Sequence, residues 1–98
     1  MAQVAEAPGV EVVRVRSNSK PGGVAGCIAG CAREGKPVQL HSIGASALNQ
    51  GTKAVIIARG WLVPCGIDIK IVNPRFKDVV VEGDERTSIV CDLEFVRL

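Results

Sequence analysis

The sequence predicts an α/β fold of the two-layer α+β kind, with elements in the order β-α-β-α-β-β. Three observations predict it. A β-branched run, Val12-Val13-Arg14-Val15, passes through a short polar loop into a stretch rich in glycine and alanine. A second helical stretch, residues 45–62, follows a short strand pattern. Ile67-Asp68-Ile69-Lys70-Ile71 then alternates apolar and charged residues and opens a long hairpin. The 98 residues suffice for one domain with one core. Residues 1–9 read as a loose, flexible tail ending at Pro8-Gly9, and residues 10–98 as a single domain.

Strand one is expected at Val10 to Arg16. Ser17, Asn18 and Ser19 are turn and N-cap residues, and Pro21 suits a first helical turn. Helix one follows at Pro21 to Glu34, with Val24, Cys27, Ile28 and Cys31 at three- and four-residue spacing. Each Gly in a helix costs about 1 kcal/mol against Ala. Gly22, Gly23, Gly26 and Gly30 therefore predict a close approach by another element. Gly35 with Lys36-Pro37 stops the helix.

Strand two is expected at Val38 to Ile43, and helix two at Ala45 to Leu62. Val55 to Ala58 is apolar without a break, so this helix is expected to be covered on more than one side. A second subunit is the expected outer cover, which predicts a homodimer with helix two in or near the interface. Asn73-Pro74 interrupts strand three, because Pro cannot donate to a ladder, and predicts a bulge or a sheet edge. Lys77 to Val81 resumes the strand, residues 82–85 turn, and Thr87 to Val96 is the last strand.

Composition narrows the function. Three aromatic residues, Trp61, Phe76 and Phe95, leave an aliphatic core and little means of stacking on bases. Net charge is only +2, but residues 1–59 carry +4 and residues 60–98 carry −2. No apolar run reaches the roughly 18 residues of a membrane span. Residues 1–9 lack the basic and apolar halves of a signal peptide. A cytoplasmic location with free thiols is expected.

The loop before helix one is the strongest chemical signal. A helix start leaves unpaired N–H groups and a partial positive charge that favour an anion. Lys20, Arg14 and Arg16 add full charges, Ser19 adds a hydroxyl, and Gly22 and Gly23 let a ligand approach the backbone. The plain alternative is a capped turn with no ligand. Asn49 and Lys53, four residues apart, share a face of helix two. Asn49 and Gln50 are polar amides in its first turns, able to reach a partner or face water.

Other chemistry fares worse. Cys27, Cys31 and His41 lack the spacing of structural zinc, and no cofactor is expected. Gly30 to Pro37 has the outline of a phosphate-binding loop, but Pro37 replaces the magnesium-binding hydroxyl, and the segment ends a helix rather than starting one. His41 has no nucleophile beside it at a known motif and reads as a structural or surface residue. Asp84 and Glu85 sit on a turn tip as solvated charges. No enzyme is expected.

Five stretches carry a family resemblance: Val12 to Val15, Ser19 to Gly26, Ile43 to Gln50, Lys53 to Gly60 and Val81 to Thr87. Together the sequence resembles the stage V sporulation protein S family, within the Alba-like superfamily. The resemblance implies two helices packed on a four-stranded mixed sheet, a dimer, and a nucleic-acid-binding role in regulating sporulation or development. In Alba-like proteins the loop before helix one, the start of helix two and the hairpin arms grip the nucleic-acid backbone. On this chain those regions hold Lys20, Asn49, Gln50, Arg75, Lys77 and Arg86. The loop carries one lysine where archaeal Alba proteins usually carry two, and the arm tip is acidic, which lowers the affinity expected.

Two readings follow. In the first the protein is a non-catalytic homodimer that binds DNA or RNA through phosphates, met by Arg14, Arg16, Lys20, Lys53, Arg75, Lys77 and Arg86, with low sequence specificity. Such a protein would associate with the nucleoid. In the second it is a homo-oligomeric interaction or assembly module without nucleic-acid binding.

Overall fold

A computed structural model describes residues 9–98. The tail expected over residues 1–8 lies outside the described residues. Strand β1 (Glu11–Val15), helix α1 (Pro21–Glu34), strand β2 (Val38–Ser42), helix α2 (Ala45–Leu62), a 3-10 turn (Val63–Cys65), strand β3 (Ile67–Val81) and strand β4 (Asp84–Arg97) follow in that order. They form a four-stranded mixed sheet, ordered β1-β2-β4-β3, with both helices packed on it.

β1 and β2 run parallel, and α1 is the crossover between them. β4 pairs antiparallel with both β2 and β3. Each helix therefore starts beyond the C-terminal end of one parallel strand. The β2–β4 ladder ends at Ser42 with Ile89, while β3 and β4 stay paired to Val81 with Asp84. The outer part of this hairpin thus projects past the same end of the sheet as an arm.

Alternation decides the two sheet faces. Val13, Val15, Val38, Leu40, Cys91, Leu93, Ile67 and Ile69 are buried with Ile28, Ala54, Val55 and Leu62 of the helices in one core. Fully burying a side chain such as Ile28 or Leu62 is worth about 1.5–3 kcal/mol. On α1 the buried stripe is Ala25, Ile28, Ala29, Cys31 and Ala32. Of the expected stripe, Ile28 and Cys31 are buried and Val24 packs against the core, while Cys27 is exposed and Ala25, Ala29 and Ala32 complete the contact.

The close approach expected at the glycines of α1 is not there. A Cβ at Gly22, Gly23, Gly26 or Gly30 would meet nothing within 4 Å. The tight contact belongs to Gly51 of α2, where a Cβ would stand 3.2 Å from Leu40 Cδ2 and 3.5 Å from Val15 Cγ2. α2 also buries one side only: Ile56 is 65% and Trp61 47% exposed, so sheet and helix one do not cover all of it.

Strand boundaries differ slightly from the expected ones. β1 and β2 are shorter than expected. β4 begins at Asp84, so the hairpin turn contains only Glu82 and Gly83, both at positive φ. At Asn73-Pro74 the expectation holds: β3 is an edge strand and passes through these residues in a bulge. Asn73 takes φ +55°, a value asparagine tolerates better than most residues.

Arg59 of α2 is clamped to β3. Its Nε and Nη2 donate to the two Asp68 carboxylate oxygens at 2.5 and 3.3 Å. Those bonds, with the Ile69 N–H, hold the Asp68 carboxyl below its ordinary pKa. A carboxylate with a lowered pKa stabilises the fold above its unfolded-state value, and that stabilisation is lost as pH falls through the folded-state value. Urea unfolding across pH should therefore show a shallower loss of stability below about pH 4 for Asp68→Asn than for the parent. The same assay should show Gly26→Ala more stable by about 0.5–1 kcal/mol. Gly51→Ala should show no such gain, since Leu40 must move to admit the methyl.

Candidate functional site

The polar loop at residues 16–20 is held from within. The Arg16 N–H donates to Ser19 Oγ at 2.8 Å and the Ser19 N–H to the Arg16 carbonyl at 3.0 Å. Gln50 Nε2 of α2 donates to the Ser19 carbonyl at 2.9 Å. One expectation is corrected here. Ser19 is not the N-cap of α1: the cap position is Lys20, with no side-chain cap bond, and the Ser19 hydroxyl closes the loop instead. Of the two alternatives open for Gln50, the amide reaches a partner, the loop before α1.

Gly22 and Gly23 are exposed in the first turn of α1, beside the exposed Lys20. The first turns of α1 and α2 contain no acidic residue and neither helix has a side-chain cap, so both positive helix ends are left uncompensated. Asn49 and Lys53 are exposed on α2, in the helix layer.

The remaining cations lie on the other face of the sheet. Register places Arg14, His41, Val90 and Arg75 in one row across β1, β2, β4 and β3. The pairs Lys77 with Ser88 and Arg86 with Val79 continue the same face towards the arm. A groove of about 670 Å³ runs there, lined by Arg14, Arg16, Lys77 and Arg86, with His41, Ile43 and Ser88 among its other residues. Among the described residues its one carboxylate is Asp78, which accepts from Thr87 Oγ1 at 3.4 Å. Among the described residues, Arg14, Arg16, Lys77 and Arg86 enter no ion pair.

Arg75 lies on the hairpin as expected, but it is paired. It shares the row of Arg14, yet Nη2 bonds Asp92 Oδ1 at 3.1 Å and Nη1 bonds the Asn73 carbonyl at 2.7 Å. Asn73 Nδ2 reaches the other Asp92 oxygen at 3.1 Å. Arg75 is thus a fastener of the bulge, and its charge is met.

The bulge has a large effect on what the arm displays. One extra residue between Val72 and Arg75 shifts the alternation by one. Lys77 therefore falls on the groove face, and Phe76 and Val80 fall on the helix-side face, where they are 77% and 70% exposed.

A family model, Stage V sporulation protein S, matches residues 11–96. The chain belongs to the stage V sporulation protein S family. The match covers every strand and helix described above. Membership in this family suggests a sporulation-related role.

Sequence reasoning missed the groove floor. His41 is buried, with Nε2 3.1 Å from Gln39 Oε1, and Ser88 is buried with its hydroxyl donating to the Ser42 carbonyl at 3.3 Å. The available signal was the alternation of β2, which puts Gln39 and His41 opposite Val38 and Leu40. Among the described residues no cluster of three or more His, Cys, Asp or Glu is arranged to hold a metal ion. Cys31 and Cys91 are buried, and burial pushes both thiols above their ordinary pKa, which leaves them poor nucleophiles. No described helix is long and apolar enough to cross a membrane.

Gln50→Ala removes the one side-chain bond between the α2 start and the loop. It should cost about 1 kcal/mol and speed amide exchange at Ser19 and Val24, read by hydrogen-exchange NMR.

Proposed function

We propose that this protein is a non-catalytic, homodimeric nucleic-acid-binding regulator of sporulation or development that grips the phosphate backbone of DNA or RNA. One observation carries the reading. Arg14, Arg16, Lys77 and Arg86, on or just after three strands, line one groove in which Asp78 is the single carboxylate among the described residues. The groove opens at the end of the sheet from which both helices start and the arm projects. Lys20 with the free amides around Gly22 and Gly23 is a second phosphate contact at that end, and Asn49 and Lys53 extend it along α2. The phosphate contacts position the ligand without reading its sequence, so specificity is low.

The exposed apolar residues support the dimer. Ile56 and Trp61 on α2, and Phe76 and Val80 on the arm, are larger and more exposed than a lone soluble chain needs. The same residues favour the second reading, an assembly module that packs on partners without nucleic acid.

Binding to labelled DNA and RNA across a salt series separates the two. If about four phosphates are met per protomer, affinity should fall by roughly two orders of magnitude from low to physiological salt. Lys20→Glu should weaken it further at every salt. Binding that ignores salt, or no binding at low salt, leaves the assembly reading. Light scattering of the unliganded protein should report a dimer, and Ile56→Asp or Phe76→Asp should shift it towards monomer.

A further inference from the structure

The shape of the groove says which form of nucleic acid it admits, an inference that rests on the nucleic-acid reading above. Its two rims stand on the sheet's outer strands: Arg14 and Arg16 on or just after β1, Lys77 on β3. Three strand spacings of about 4.8 Å separate them, so the rims are about 14 Å apart. Arg86 closes the groove towards the arm, opposite Val79. Between the rims lie Ile43, His41 and Ser88, with the hydroxyl of Ser88 and the ring of His41 already engaged within the sheet.

A duplex is a stiff convex rod, and it would rest on these rims with its bases far from the floor. A single strand is narrow enough to lie between them, its phosphates turning to either rim. No aromatic residue lines the groove: Trp61 is on α2, Phe76 is on the opposite face of the arm, and Phe95 packs against the core. Base stacking therefore contributes nothing, and the hold comes from phosphate charge, with Val79 and Val81 along the wall.

We propose that the helix-free face of the sheet is a groove for single-stranded nucleic acid, with Arg14 and Arg16 on one rim, Lys77 on the other and Arg86 closing the end towards the arm. DNA and RNA strands share the phosphodiester that these residues meet. The volume of about 670 Å³ takes a short segment of the strand, with the rest running out past the open ends.

Fluorescence anisotropy with labelled oligo(dT), oligo(U) and a duplex of equal length, at low and physiological salt, tests this. The purified full chain should bind the single strands at least about tenfold more tightly than the duplex. The double variant Arg14→Ala/Lys77→Ala should lose about tenfold or more of single-strand affinity, with a smaller salt slope. Arg33→Ala, an exposed cation in the last turn of α1, should bind as the parent does. As a second measurement, amide shifts on adding oligo(dT) to the parent should concentrate at Ile43, Val79 and Ser88.

Duplex binding as tight as single-strand binding overturns the proposal. So does a double variant with parental affinity while Lys20→Ala loses it, or shifts confined to Gly22 and Gly23. Those results would leave nucleic-acid binding in place at the helix starts. Failure to bind any of the three probes at low salt overturns both readings together.

Discussion

The parallel pairing of β1 with β2 is the constraint on which the rest of the molecule depends. Parallel neighbours cannot be joined by a tight turn, so a helix must cross between them. That crossing fixes where α1 begins, and the same geometry starts α2 after β2. Both uncapped helix ends are thereby delivered to one end of the sheet, and the helices are committed to one face. The other face is left to whatever side chains alternate outward from the strands. Arg14 and His41 are outward because Val13 and Leu40 are inward, and burial of the latter decides the position of the former.

Much of this was legible because local and long-range signals agreed. The bounds of both helices follow from Pro21, Gly35, Gly44 and the break at Val63-Pro64, which act within a few residues of themselves. The strand alternation at Ile67 to Ile71 is likewise local. The glycines were misread for the opposite reason. A helical glycine says that something is unusual, but which neighbour comes near depends on how helices and sheet stack. Gly51 looked no different from Gly26 in the sequence, yet one faces Leu40 and the other faces nothing.

The candidate site shows the same division. Arg14, Arg16, Lys20 and Lys77 could be read as available cations from residue type and loop position. Arg75 could not be told from Lys77, because its partner Asp92 is remote in the chain and meets it only through the β3–β4 register. Gln50 was visible as a polar residue near a helix start, while its bond to Ser19 depends on how the two helices pack. The floor residues His41 and Ser88 carried no signal apart from alternation. The placement of Lys77 on the groove face rested on the sign of a bulge that Pro74 announces without specifying.

The bulge also bears on what the outer flank of the sheet does in a concentrated solution. β3 is an edge strand of fifteen residues, long enough to template a neighbouring chain along its free amides and carbonyls. Pro74 offers no amide to such a neighbour, and the bend at Asn73 breaks the run into two short pieces. The irregularity that aims a lysine thus also denies incoming strands an unbroken seam.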